Sequence, residues 1–226
     1  MVTYMAKDAP QAKIDGVRRM GGEVRFVSPE TWWNYITGAA RPDSSETFIN
    51  PVTDPGVLAG NGTIGLELMG QLPSVSSIWA PFGGGSLITG IASAYSGAQP
   101  RPAFYAADSD HAAPATAAIA EGRACEIPTC PSFIKSMGGP SVVPSLWSLT
   151  ASLLSGTSVV SANDIVAATR LLFSANKTVA EGAGAASLAA ALSDPRATGD
   201  VVCIISGGNI DAVDYIRILR GEVPDP

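Results

Sequence analysis

Ser77-Ile78-Trp79-Ala80-Pro81-Phe82-Gly83-Gly84-Gly85-Ser86-Leu87 is the stretch that decides the fold. A short apolar run ends in three consecutive glycines and passes at Leu87 into an apolar pattern that continues to Ser96. This order is that of a strand, a tight turn and a helix, the half-unit of an α/β sheet. Backbone N–H groups that converge on a helix N-terminus, with the helix dipole behind them, form an anion site that needs no basic side chain. A phosphate monoester fits such a site, and Ser86 adds a hydroxyl. Taken alone, the turn reads equally well as a plain connection, because glycine-rich turns are common. A dinucleotide-binding turn is not indicated. The G-x-G-x-x-G spacing is absent, and no acidic residue follows a second strand about twenty positions on.

Outward from this turn, short strand-like runs alternate with helical patterns. Strands are expected at Val2 to Met5, Glu23 to Val27, Ser77 to Pro81, Ala103 to Ala107, Thr178 to Glu181 and Asp200 to Ser206. A first helix is expected to start near Asp8 and Pro10, to put Ile14, Val17 and Met20 on one face, and to stop at Gly21-Gly22. Another follows Ser28-Pro29. Further helices fit Gly56 to Gln71, Leu87 to Ser96, Pro114 to Glu121, Val142 to Leu154, Ser161 to Ala175 and Ile210 to Arg220, with Ser161 and Asp164 spaced as a capping box. The alternation implies an α/β domain with a largely parallel sheet covered on both faces. Ligands of such sheets collect at the carboxyl ends of the strands. The polar, turn-rich stretch Pro42 to Glu46 is expected to separate a small N-terminal piece, residues 1–46, from the main domain, residues 47–226.

Composition narrows the function classes. The chain has 226 residues, 46% hydrophobic and 15% charged, where about 25% charged is usual. A chain of this length and apolarity buries a real core and is not disordered. With 34 alanines and 24 glycines it suits close packing of helices on a sheet, and its charge-poor surface suggests that part of it is hidden in a partner, as in a homo-oligomer. The net charge of −6 has the wrong sign for a nucleic-acid footprint. Two long uncharged runs, Leu68 to Pro100 and Ser136 to Asn163, are broken by prolines, glycine clusters and serines, so no membrane span is expected. No secretory signal is recognisable at the N-terminus, and a cytoplasmic location is the default expectation. Cys125, Cys130 and Cys203 form neither a disulfide framework nor a zinc pattern.

Two further turns face the same side of the expected sheet. Ser206-Gly207-Gly208-Asn209 puts a hydroxyl at the carboxyl end of a strand, where Ser206 or Asn209 would also serve as a helix cap. Glu181 ends the Thr178 to Glu181 run before the small-residue helix that starts at Gly182-Ala183-Gly184, where a carboxylate also interacts favourably with the helix dipole.

Several motifs now stand in order: Asn50-Pro51-Val52-Thr53-Asp54-Pro55, Ala59-Gly60-Asn61-Gly62-Thr63-Ile64-Gly65-Leu66-Glu67, the glycine loop, the Glu181 segment and Ser206-Gly207-Gly208-Asn209. Together they resemble the threonine dehydratase and serine racemase family, pyridoxal-phosphate enzymes of the tryptophan-synthase-β-like fold (fold type II). The similarity extends over nearly the whole chain. It implies an α/β three-layer fold with helices on both faces of the sheet and the N-terminal part of the family's fold missing. It also implies a pyridoxal 5′-phosphate cofactor held by Gly83, Gly84, Gly85, Ser86 and Leu87 at its phosphate and by Ser206 at its pyridine nitrogen, with Glu181 beside it. The family usually has a fourth glycine where this chain has Ser86. A neutral hydroxyl at the ring nitrogen does not keep it protonated, which weakens the ring as an electron sink and suits β-elimination. The implied reaction converts L-threonine or L-serine, a small hydroxyamino acid, to a 2-oxo acid and ammonia; a serine racemase-like isomerisation is the related alternative.

Some members of the family bind a divalent cation through an acid in a Y-A-A-E turn. Here the turn reads Tyr105-Ala106-Ala107-Asp108, and the second acid falls at Pro114, so no metal site is expected and Asp108 reads as a solvated loop carboxylate. His111, the sole histidine, reads as a surface or helix-start residue. The family's Schiff-base lysine and S-x-G-N-H loop have no counterpart: Lys7, Lys13, Lys135 and Lys177 lie in A-K-D, A-K-I, I-K-S and N-K-T, none followed by R-G. No catalytic residue of the family is therefore expected in this chain, which alone would be inactive. A truncated gene, a subunit completed by another chain, and a non-catalytic homologue that binds pyridoxal phosphate or an amino acid, or regulates an intact relative, are the three readings of this gap.

Overall fold

The computed structural model describes residues 1–226 except Asp8, Asp43, Ser44 and Glu46. The expected cap at Asp8, and part of the expected boundary at Pro42 to Glu46, lie outside the described residues. Strands β1 (Val2–Ala6) and β2 (Glu23–Val27) pair in parallel, linked by helix α1 (Gln11–Arg19) and followed by α2 (Pro29–Thr37). Ser28 caps α2 by accepting from the Thr31 N–H at 3.1 Å, and Pro29 takes the first helical position, where its missing N–H costs nothing.

After helix α3 (Pro55–Gln71) the chain builds the main sheet. Its elements are β3 (Ser77–Pro81), α4 (Ser86–Ala94), β4 (Ala103–Ser109), α5 (Pro114–Glu121), α6 (Pro144–Leu153), β5 (Gly156–Val160), α7 (Ala162–Leu171), α8 (Gly182–Ser193), β6 (Val201–Cys203) and α9 (Ala212–Arg220). The strand order is β5-β4-β3-β6, and every pairing is parallel. Ile78, Ala80, Phe104 and Ala106 face a cluster with Ile88 and Ile91 of α4, while Trp79, Tyr105 and Ala107 face Ile165 of α7 and the alanines of α8. Both faces of β3 and β4 are buried, which is why neither strand alternates with polar residues. The α/β class with helices on both faces of a parallel sheet is thus as expected.

Three local expectations need correction. Thr178 to Glu181 is not a strand: Lys177 turns the chain at φ +58°, and the Glu181 N–H makes a single 3.0 Å bond to the Gly207 carbonyl in place of a ladder. Conversely, β5 was not foreseen. It is an edge strand and only partly buried, so its sequence, Gly156-Thr157-Ser158-Val159-Val160, lacks the apolar run that marks β3. The helix expected to Ala175 is α-helical only to Leu171 and then widens into a π-helical turn, Leu172–Asn176. The capping box is present, Ser161 and Asp164 each accepting from the other's backbone N–H at 3.2 and 3.0 Å.

Helices α3 and α4 touch through backbone. A Cβ on Gly90 would lie 2.6 Å from the Leu58 carbonyl oxygen and 2.7 Å from the Asn61 Cβ; one on Gly65 would lie 2.7 Å from the Ile91 carbonyl oxygen. Gly90→Ala is accordingly expected to lower the unfolding free energy by about 1–3 kcal/mol through overpacking. The control, Gly60→Ala, has nothing within 4 Å of the added Cβ, so urea denaturation should find it neutral or stabilised by up to about 1 kcal/mol through helix propensity.

Candidate active site

The turn from β3 to α4 is tied down at its first residue. The Phe82 N–H donates to the Ala107 carbonyl at 2.8 Å, and the Phe82 carbonyl accepts from the Gly138 N–H at 3.0 Å. Gly85 then sits at φ +90° as the residue before α4, a left-handed conformation that L side chains rarely adopt. Ser86 is buried, and its hydroxyl accepts from Asn61 Nδ2 at 2.8 Å. Leu87 packs its side chain against the core and offers only its backbone to the turn. Among the described residues, no acceptor meets the N–H groups of Gly83, Gly84, Gly85 or Ser86. Four donors at the positive end of a helix dipole are what an anion needs.

This turn opens on a cleft of about 610 Å³ that Gly83 and Gly84 line together with Lys13, His111, Ser136 and Met137. Val52 closes one side, its Cγ2 lying 2.5 Å from where a Gly84 Cβ would stand. Asn50 places Val52: its amide donates to the Tyr35 and Ile36 carbonyls at 2.8 and 3.1 Å and its Oδ1 accepts from the Val52 and Thr53 N–H groups at 2.8 and 3.0 Å. These bonds join the end of α2 to the start of α3.

Glu181 lies at the next position along. Its Oε2 accepts from Ser136 Oγ at 3.1 Å and stands 3.4 Å from Lys13 Nζ, which also contacts Ser136 Oγ. Its other oxygen hangs over Gly207, where a Cβ would be only 2.6 Å away. Ser136 faces the glycine loop as well, with its carbonyl oxygen 3.3 Å from a would-be Gly83 Cβ. One residue therefore bridges the glycine loop and the carboxylate next to Ser206. Glu181 itself lines an adjoining cavity of about 370 Å³ with Asn209, and Pro10 and Lys135 border both spaces. Ser206 lines neither cavity; it is exposed where the chain leaves β6.

Asp108 and His111 differ from their expected surroundings. Asp108 is fully buried and not solvated. Its Oδ2 accepts from the Thr116 N–H and hydroxyl, both at 2.8 Å, whereas Oδ1 has no partner among the described residues. Burial pushes this carboxyl up to about 6 against the opposing effect of the Thr116 hydrogen bonds. His111 is half-buried on the cleft wall, paired through Nδ1 with Ser109 Oγ, and burial lowers its pKa below the ordinary histidine value. Among the described residues, no group of three His, Cys, Asp or Glu side chains is placed to hold a metal ion.

Lys13, Ser136, Asn50 and Asn61 carry this geometry, and Trp32 and Trp33 of α2 line the cleft, without having stood out as site residues in the sequence. Asn50 and Asn61 belong to the ordered motifs, which is the signal that could have raised them. Lys13 and Ser136 lie far from the glycine loop in sequence and have no local signature. No helix among the described residues is long and apolar enough to cross a membrane.

Comparison with known proteins finds relatives over most of the chain. The model of the family described as pyridoxal-phosphate dependent enzymes matches residues 1–207. L-threonine ammonia-lyase of Geobacter sulfurreducens is 32% identical over 212 residues, covering 92% of this chain and 52% of that protein. The structure of maize serine racemase superposes with a TM-score of 0.79 at 26% identity, covering 97% of this chain and 69% of that one. The processed form of threonine deaminase isoform 2 from Solanum lycopersicum gives a TM-score of 0.81 at 25% identity, covering 97% and 66%. The chain spans about half the length of the ammonia-lyase it matches.

A carboxyl whose folded pKa is raised makes the folded state hold its proton more tightly than the unfolded chain does. Its contribution favours folding below about pH 4 and is lost as pH rises through about 6, in total about 3 kcal/mol. Asp108→Asn keeps the acceptor for Thr116 and removes the titration. Urea unfolding should give a wild-type stability that falls between pH 4 and pH 7 relative to Asp108→Asn. A constant difference between the two would show that Asp108 is not strained by burial.

Proposed function

The chain belongs to the family of pyridoxal-phosphate-dependent enzymes, the family model spanning residues 1–207, and from that premise we propose a β-eliminating ammonia-lyase of a hydroxyamino acid, with L-threonine and L-serine as the reference substrates. One observation carries the assignment of the site: the N–H groups of Gly83, Gly84, Gly85 and Ser86, unpaired among the described residues, lie in sequence at the N-terminus of α4, where Gly83 and Gly84 line a cleft. We assign them, with Leu87, to the cofactor phosphate. Ser206 is assigned to the pyridine nitrogen and Glu181 to the flank between the two. Residues 1–46, with the β1–β2 sheet, are taken as part of a smaller domain and 47–226 as the cofactor-binding domain.

When bound, the cofactor supplies an electron sink for the pair left behind when the α-proton departs. The chain's own residues set the conditions. Ser206 offers a neutral hydroxyl at the ring end, which does not fix a proton on the ring nitrogen. The charge of Glu181 is engaged by Lys13 and by the Ser136 hydroxyl. The phosphate meets amides, so its position is set by the sheet and α4, not by a mobile side chain.

The four lysines are Lys7, Lys13, Lys135 and Lys177, and none has the sequence setting of the family's Schiff-base lysine. We therefore propose that this chain alone binds the cofactor without turning over. That observation also favours a second reading, a binding or regulatory homologue; isomerisation of the racemase kind uses the same residues. A cytoplasmic, homo-oligomeric protein is the setting we propose. Leu192, Val213 and Ile216 are more than half exposed, and among the described residues β6 pairs with a strand on one side only.

Titration of the chain with pyridoxal 5′-phosphate, followed by absorbance, is expected to saturate and to be competed by inorganic phosphate. Ser206→Ala should weaken retention severalfold while leaving the melting temperature within about 2 °C, as a substitution on an exposed side chain should. Equal loss of both would mean that Ser206 serves only the fold, and absence of saturable binding would overturn the assignment. Formation of a 2-oxo acid from L-threonine or L-serine by the chain alone would overturn the proposal that it binds the cofactor without turning over. Light scattering should find oligomers; a monodisperse monomer would contradict the proposed assembly.

A further inference from the structure

Beside the glycine loop, one wall of the cleft is apolar and aromatic. Trp32 and Trp33 stand side by side on α2 with ring centroids 6.3 Å apart and planes tilted by 35°. With Ile36, Val52, Ile134 and Met137 they line the same space of about 610 Å³ that Gly83 and Gly84 enter. Trp33 reaches across to the 136–140 segment: a Cβ on Gly139 would lie 3.0 Å from its Cη2, so glycine there leaves the indole its place. Ile36, Val52, Val143 and Leu146 form the buried cluster on which both indoles rest, which holds the two rings in position. Lys135, a cation with no ion-pair partner among the described residues, also borders the cleft.

A ligand matched to these surroundings carries an anionic group for the cation and an apolar, planar group for the tryptophans. The methyl of threonine and the bare methylene of serine leave such a wall uncovered, whereas an aryl ring meets it with stacked or edge-to-face contact. We propose that the cleft selects β-hydroxy-α-amino acids bearing an aromatic group on the β-carbon over threonine and serine. This rests on the reading of the site as a pyridoxal-phosphate cleft and specifies the substrate class of that site. The carboxylate is directed to Lys135 and the aryl ring to Trp32 and Trp33.

Isothermal titration of the full chain preloaded with pyridoxal 5′-phosphate, with L-threo-3-phenylserine and L-threonine as the two probes, tests the proposal. Phenylserine is expected to bind at least about tenfold more tightly, the lower end of what added apolar groups contribute in a fitted pocket. Trp33→Ala should bring that ratio below about threefold, and Trp33→Phe, which keeps a ring, should retain most of it. Should Trp33→Ala fail to fold, Met137→Ala on the facing segment is expected to lower the ratio in the same direction. Equal or tighter binding of threonine, or a preference that survives these substitutions in folded protein, overturns the proposal. Retention of the cofactor with no aryl preference overturns it alone; failure to retain the cofactor overturns the cofactor assignment and this inference with it.

Discussion

The close contact of α3 with α4 is the constraint on which the site depends. Glycines at 62, 65 and 90 let the two backbones approach to distances that any Cβ would prevent, with Gly90 facing the Leu58 carbonyl and Gly65 facing that of Ile91. This approach places Asn61 where its amide can donate to the buried Ser86 hydroxyl. The first turn of α4 is thereby held from the side, while the Phe82 hydrogen bonds hold the preceding peptide from below and above. A cradle of backbone amides is useful only if its donors stay aimed without a ligand, because orienting them at the moment of binding would cost conformational entropy. Here packing has already fixed them.

The remainder of the site follows from one crossing. The segment that runs through Ser136 to Gly139 leaves the β4 side of the sheet and passes over the glycine loop, bonding to Phe82 on one side and to Glu181 and Lys13 on the other. It links the carboxyl end of β3, through Glu181, to the turn after the neighbouring strand β6. It also narrows the space next to Trp33. The buried Asp108, bonded to Thr116, ties the end of β4 to α5, the helix that precedes this segment, at the cost of holding a carboxyl away from water.

Much of this was legible in the sequence, for physical reasons. Strands covered on both faces must be apolar throughout, so β3 and β4 declared themselves. The glycine turn was legible as a strand-to-helix connection, and the order of the motifs around it marked it as a binding turn. The edge strand β5 was not legible, because an edge needs no continuous apolar run and its Gly-Thr-Ser start looks like a loop. The Thr178 to Glu181 run misled in the opposite sense: its residues suit a strand, but a left-handed Lys177 and the docking of Glu181 on Gly207 take it out of the sheet. Lys13 and Ser136 were invisible because their meeting is tertiary, spanning 123 residues with no local pattern to announce it. His111 and Asp108 were misjudged for the same reason, since burial is decided by what folds over a residue.

The central claim is that backbone amides at the start of α4 and the Ser206 hydroxyl hold the two ends of one cofactor. A crystal structure of the chain with pyridoxal 5′-phosphate tests it most directly. The account predicts phosphate oxygens within about 2.7–3.2 Å of the N–H groups of Gly83 to Ser86, with the pyridine nitrogen facing Ser206 and Glu181 alongside. A phosphate gripped by lysine side chains elsewhere, or a ring too far from Ser206 to meet it while the phosphate sits in the glycine loop, would contradict it.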